Sequence, residues 1–160
     1  MSNSDIYLKY EKICTKLEPA AECSRKCSPL AHAQFHQLSA NFRLHCVDFE
    51  EELEDHLSCL QKNTVKVEKK CNELCEQQND DEENIDIQKA SCKKNECNLK
   101  CHLKGLIEYC PESSKVQKKI TIQKTRELER MRGHEKFNLL PFECQQLHDH
   151  KHVERILDDL

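Results

Sequence analysis

The feature that most limits what this chain can fold into is its cysteine set: 12 in 160 residues, an even number, grouped in part as C-x3-C pairs. Three such pairs occur, Cys23/Cys27, Cys71/Cys75 and Cys97/Cys101. On an α-helix, residues four apart sit about 40° apart on one face and about 6 Å apart along the axis. Each pair therefore presents two sulfurs from one side of a helix. Zinc sites usually use C-x2-C knuckles, so the C-x3-C spacing points to disulfides and to an oxidising compartment. Each bridge adds about 2–4 kcal/mol by restricting the unfolded chain.

The rest of the composition shows why such help is needed. Apolar residues make up 37% of the chain and charged residues 34%, with 5% aromatics and no Trp. Globular domains usually run to about 45–50% apolar, so the core is expected to be thin. With 2 Gly and 4 Pro there is little material for tight hairpin turns, and long helices are favoured over strands. The expected fold is all-α, a disulfide-stapled bundle of about four to six helices. One cysteine-rich domain is expected over 1–146, followed by a polar, His-rich tail over 147–160.

Hydrophobic periodicity places the elements. Ile6, Tyr10, Ile13 and Leu17 mark a helix over Ser4–Leu17, which Pro19 is expected to break before a second helix, Ala20–Cys27. The longest signal steps by three and four from Phe35 to Leu60, with Glu50, Glu51, Glu54 and Asp55 as its solvated face. Asn63-Thr64 reads as a tight reversal or a capping point, and Val67, Cys71 and Leu74 form the next stripe. Gln77 to Asn84 is polar and acidic, an exposed connection. Asp86 then caps the helix that organises the chain, which carries Cys92, Cys97, Cys101 and Cys110 and stops at Pro111. A weaker helix follows over Ser113–Arg132, with Gly133 as its cap. Phe137 to Phe142 reads as irregular and pinned by Cys144, and Val153 to Leu160 as a short amphipathic tail.

Two cysteine spacings mirror each other: Cys14-x8-Cys23-x3-Cys27 and Cys97-x3-Cys101-x8-Cys110. Antiparallel helices would join them as Cys27–Cys97, Cys23–Cys101 and Cys14–Cys110. The third rung needs a bend in both partners, because residues nine apart on a straight helix face opposite ways. Hairpin symmetry proposes Cys46–Cys75 about a reversal near Gln61, and Cys71–Cys92 across the acidic connection. Cys59 and Cys144 remain to pair.

Several function classes find no support. Net charge is −4, which gives no general attraction to nucleic acid or to anionic membranes. No run approaches the roughly 18–20 apolar residues of a membrane span, so no membrane insertion is expected. Met1 to Tyr10 has no apolar leader segment, and the sequence is read as a mature chain or a fragment whose leader was left out. His45-Cys46 and Cys101-His102 are sequence neighbours, about 100° apart on a helix and poorly placed to pair. His32 and His36 lack the Glu of H-E-x-x-H. His148, His150 and His152 read as a polar surface tail. A phospholipase A2 would need a glycine-rich calcium loop and a C-C-x-x-H-x-C run, and the sequence has neither. No catalytic residue, metal site or cofactor is expected. Neither an Asn-x-Ser/Thr sequon nor a Ser-Gly dipeptide occurs; Asn95-Glu96-Cys97 fits only the rare Cys variant of a sequon.

The pattern resembles the nematode chondroitin proteoglycan 4 domain, a secreted, cysteine-rich extracellular domain. Three blocks carry the likeness: Tyr10-x3-Cys14-x8-Cys23-x3-Cys27; Cys46-Val-Asp-x-Phe49 with Leu53, Cys59-Leu60, Val67 and Cys71-x3-Cys75; and Ala90-Ser-Cys92-x4-Cys97-x3-Cys101-x8-Cys110 with Pro141-x-x-Cys144. The resemblance implies secretion, an extracellular-matrix setting, no catalysis, and an extracellular protein or glycan as partner. The missing Ser-Gly departs from a chondroitin-bearing core. Two other classes stand beside it. One is a secreted effector or ligand that binds a receptor or host protein. The other is a helical-hairpin chaperone of the mitochondrial intermembrane space, whose paired C-x3-C motifs lie roughly a dozen residues apart; here 21 residues separate Cys75 from Cys97.

Overall fold

A computed structural model describes residues 3–77, 87–131, 133 and 137–160. The chain is all-α and disulfide-stapled. Its elements are α1 (Asn3–Leu8), α2 (Tyr10–Arg25), α3 (Pro29–Leu38), α4 (Ala40–Arg43), a π-helical turn (Leu44–Asp48), α5 (Glu50–Glu54), α6 (Leu57–Gln77), α7 (Ile87–Tyr109), a 3-10 turn (Pro111–Ser113), α8 (Ser114–Met131), α9 (Phe142–Gln146) and α10 (His150–Asp158). The acidic connection after Gln77 and the expected cap at Asp86 lie outside the described residues.

The centre is an antiparallel hairpin of α6 and α7. Leu60 and Val67 of α6 meet Leu106 of α7, and Tyr7, Tyr10, Leu53, Val116 and Ile120 close over them. The two helices approach closely at Gly105, where a built Cβ would lie 2.7 Å from Val67 Cγ1. The role of Gly105 is to leave room for Val67. α1 lies along α6, where Gln61 Nε2 donates to the Tyr7 carbonyl at 3.0 Å.

Local chemistry sets the boundaries. Ser28 caps α3 by accepting from the Ala31 N–H, with Pro29 in the first turn. Pro19 does not break α2, which runs through it on an exposed face. The Phe35–Leu60 signal is not one helix. It divides at Ser39, at the π turn and at Phe49, whose φ is −125°. The π turn sets Cys46 opposite Cys14 and offers the His45 carbonyl to the Tyr10 hydroxyl at 2.8 Å.

The described residues hold five disulfides, and none of the six expected pairings is among them. The bonds are Cys14–Cys46, Cys59–Cys110, Cys71–Cys101, Cys75–Cys97 and Cys92–Cys144, with Cα separations of 5.1–6.0 Å. Cys23 and Cys27 are unpaired and exposed. Mirrored spacing misled because α2 packs on α3, α4 and the π turn rather than on α7. That excludes Cys27–Cys97, Cys23–Cys101 and Cys14–Cys110. α7 instead lies on its sequence neighbour α6, so each step of four forward on α6 meets a step of four back on α7. Cys71–Cys92 misses that register by nine residues, about 14 Å along a helix. Cys46–Cys75 fails because α6 runs unbroken through Gln61, and Cys75 lies about 24 Å along the helix from Cys59. Cys59 instead faces Cys110 at the end of α7, and Cys144 anchors the following segment to Cys92 near the start of α7.

The expected tail over 147–160 is a docked helix. Asp149 caps α10 by accepting from the Lys151 N–H at 2.9 Å. Val153, Ile156 and Leu157 are buried, and Val153 and Leu157 pack with Leu103. Full burial of such a side chain is worth about 1.5–3 kcal/mol, which outweighs the polar run that suggested a tail. Arg126 pairs with Glu154 at 3.0 Å, and His150 Nδ1 lies 2.6 Å from Glu129 Oε2, both fixing α10 to α8.

Candidate functional site

A cavity of about 470 Å³ lies where α7 and α8 meet residues from α1, α4, the π turn and α6. Small-molecule sites typically span about 300–1,000 Å³. The walls combine Leu99, Leu103 and Ile120 with a concentrated polar set: His45, His102, Gln117 and Lys124.

Each polar group has a defined setting. His45 stands on the π turn, and its Nδ1–H donates to the Asn41 carbonyl at 2.7 Å. The acceptor fixes the proton on Nδ1 and leaves Nε2 as a lone-pair acceptor. Burial pushes the His45 pKa down to about 4, against the Asn41 hydrogen bond and helped by the charge of Lys124. The Tyr7 hydroxyl lies 3.0 Å from Oε1 and 2.8 Å from Nε2 of Gln117, and burial raises its pKa to about 12. Burial also lowers the pKa of His102, opposed by Glu68, and that of Lys124. Among the described residues Lys124 forms no ion pair, and the buried His102 Nε2, Asn41 Oδ1 and Asn98 Oδ1 have no hydrogen-bond partner. The site offers a lysine amine, two imidazoles and amide groups beside leucine and isoleucine walls.

Sequence reasoning did not find this cavity. Its signal was faint, consisting of single polar residues on faces that otherwise read as apolar: His102 beside Leu103, and Gln117 between Val116 and Ile120. The other residues weighed in the sequence have structural placements. Cys46 and Cys101, the neighbours of His45 and His102, are both in disulfides. His32 Nδ1 lies 3.0 Å from Ser24 Oγ, and the His32 and His36 rings meet edge to face. His152 lies 3.6 Å from Glu96. Beside the acidic face of Glu50, Glu51, Glu54 and Asp55, Glu52 pairs with Lys119 at 2.6 Å. No three His, Cys, Asp or Glu side chains converge on a metal-sized site among the described residues. None of the described helices is long and apolar enough to cross a membrane.

Fold and cross-links together define a class, an all-α protein whose central hairpin carries three disulfides, with two more tying the flanking segments to it and to each other. A framework of this kind fits an extracellular or otherwise oxidising compartment. Comparison with protein-family models, with curated proteins and with solved structures gave no match.

Proposed function

We propose that the chain is a secreted, non-enzymatic binding domain of the extracellular matrix, similar to chondroitin proteoglycan 4 domains and without a glycosaminoglycan attachment site of its own. The observation that carries this reading is the set of five disulfides in a chain with a thin apolar core. Such a framework keeps its shape only where thiols stay oxidised. Its partner is an extracellular protein or glycan, and the cavity beside Lys124 supplies one interior site for a hydrogen-bonding group of that partner. The test is fractionation of tissue that makes the chain, followed by pull-down from extracellular extracts. Recovery from medium or matrix with a reproducible extracellular partner supports the reading. Retention in the cytosol, with the ten bridged cysteines reduced, overturns it.

One observation favours a second reading. Cys71/Cys75 bonds to Cys101/Cys97 as two rungs of an antiparallel hairpin, the arrangement expected of a C-x3-C hairpin chaperone of the mitochondrial intermembrane space. Co-purification with that compartment replaces the extracellular reading with this one. A secreted effector shares the compartment of the first reading and differs in its partner, a receptor or host protein.

A further inference from the structure

Three C-x3-C pairs occur, and the fold uses two of them on each other. Cys71 and Cys75 of α6 join Cys101 and Cys97 of α7, at Cα separations of 5.6 and 5.8 Å. The geometry is general to antiparallel helices: the first cysteine of one pair meets the second of the other. The third pair, Cys23/Cys27 at the end of α2, has no counterpart in the chain, and both of its residues are exposed.

We propose that Cys23 and Cys27 join two copies of this chain through a pair of interchain disulfides, Cys23–Cys27′ and Cys27–Cys23′. A C-x3-C pair is its own complement in an antiparallel arrangement. A two-fold axis between two α2 helices generates both rungs at once, and the assembly closes at a dimer. Cys23 stands in the last turn of α2 and Cys27 two residues past its end, held close by it: the Cys27 N–H donates to the Ser24 carbonyl at 3.0 Å, and the Cys27 thiol donates to the Cys23 carbonyl at 3.8 Å.

The surroundings are open to a second helix. Pro19 and Ala20, one turn earlier, are exposed and offer little bulk, and Leu30, three residues after Cys27, is 71% exposed. Ser24 faces α3 through His32, which leaves the thiol side of α2 clear. α3 has no buried residue at all.

The chemistry balances through thiol–disulfide exchange. The Cys23 thiolate attacks a low-molecular-weight disulfide, forms a mixed disulfide and releases one thiolate. The Cys27′ thiolate then attacks the Cys23 sulfur, forms Cys23–Cys27′ and releases the second. Repetition at Cys27 and Cys23′ completes the dimer. Two small disulfides are reduced to four thiols as four protein thiols become two bonds. The proposal needs only the oxidising setting that the other five bonds share, and it stands apart from any matrix role.

The test is non-reducing electrophoresis of the full chain, folded with oxidised and reduced glutathione, beside C23A/C27A. The wild type is expected at twice the 18.8 kDa chain mass, with no alkylatable thiol, and at the single mass after reduction. C23A/C27A is expected as a monomer with unchanged helical circular dichroism, because both side chains are exposed. Folding a mixture of ordinary and 15N-labelled chains should give cross-linked Cys23–Cys27 peptides that are half heavy and half light in about half of cases. A monomer with two alkylatable thiols overturns the proposal. So does a Cys23–Cys27 bond confined to one isotope, or a covalent dimer that persists in C23A/C27A.

Discussion

Removing the two inner rungs of the α6–α7 hairpin gives the sharpest test of its energetics. Cys75 and Cys97 are 22 residues apart in sequence, and a loop of that size corresponds to about 3.4 kcal/mol of restricted unfolded-chain entropy. Once one rung exists, the second closes only a ring of the four-residue steps on either side. By the same relation that smaller ring is worth about 2.5 kcal/mol. C75A/C97A and C71A/C101A should therefore each lose about 2.5 kcal/mol, and the variant lacking both bonds about 6 kcal/mol. Alanine is preferable to serine because Cys71 and Cys75 are buried, where a hydroxyl would need a partner. Urea unfolding followed by far-UV circular dichroism reads these differences. With a slope of about 2 kcal/mol per molar, each single loss moves the midpoint by roughly 1 M. If the variant lacking both bonds loses less than about 1 kcal/mol, or if each single removal costs as much as the double, the two-rung reasoning is wrong.

Three further outcomes follow from the packing and the cavity. Gly105→Ala should destabilise by about 1–3 kcal/mol from overpacking against Val67, less up to about 1 kcal/mol of helix propensity gained. Most of the loss should return in G105A/V67A, and equal unfolding midpoints for wild type and G105A would refute the close approach. His45 has a folded pKa depressed to about 4, so its neutral burial stabilises the fold fully above pH 6.5. That contribution declines as pH falls through the window toward 4, by of the order of 3 kcal/mol. Chemical unfolding at pH 7 and pH 4 should show a smaller acid loss in His45→Gln than in wild type, and parallel pH curves would contradict the assignment. Tyr7→Phe removes the hydroxyl that meets Gln117, a residue 4% exposed. It should cost about 1–3 kcal/mol, while Y7F/Q117L should cost less than the sum of its two singles in the same unfolding assay.

Much of the architecture was legible in the cysteines and the hydrophobic period. The organising helix was placed between Asp86 and Pro111, and α7 runs Ile87–Tyr109. The cross-links were not legible, for a physical reason. Matching spacings tell which pairs of helices could be joined, but packing decides which are. Helices adjacent in sequence across a connection tend to pack together, so Cys71/Cys75 found Cys97/Cys101. The mirrored set around Cys23 and Cys27 was left outside the hairpin. The Phe35–Leu60 pattern was apolar at the right period, yet the π turn and Phe49 break it. That break aligns Cys46 with Cys14 and puts His45 in the cavity, a tertiary effect that periodicity does not carry. The polar run His148–His152 concealed α10, whose apolar positions Val153, Ile156 and Leu157 were visible and whose docking site on Leu103 was not. The cavity rests on isolated polar residues, His45, His102, Gln117 and Lys124, which come together only when the π turn, α7 and α8 have packed.

The central claim is that α6 and α7 form one hairpin held by its own cysteines. Peptide mapping of the unreduced protein by mass spectrometry tests it directly. Cleavage after the lysines between the C-x3-C pairs, followed by fragmentation of the linked peptides, should give Cys71–Cys101 and Cys75–Cys97, together with Cys59–Cys110. Recovery of Cys23–Cys101 and Cys27–Cys97 would contradict it, because those bonds require α2 rather than α6 against α7.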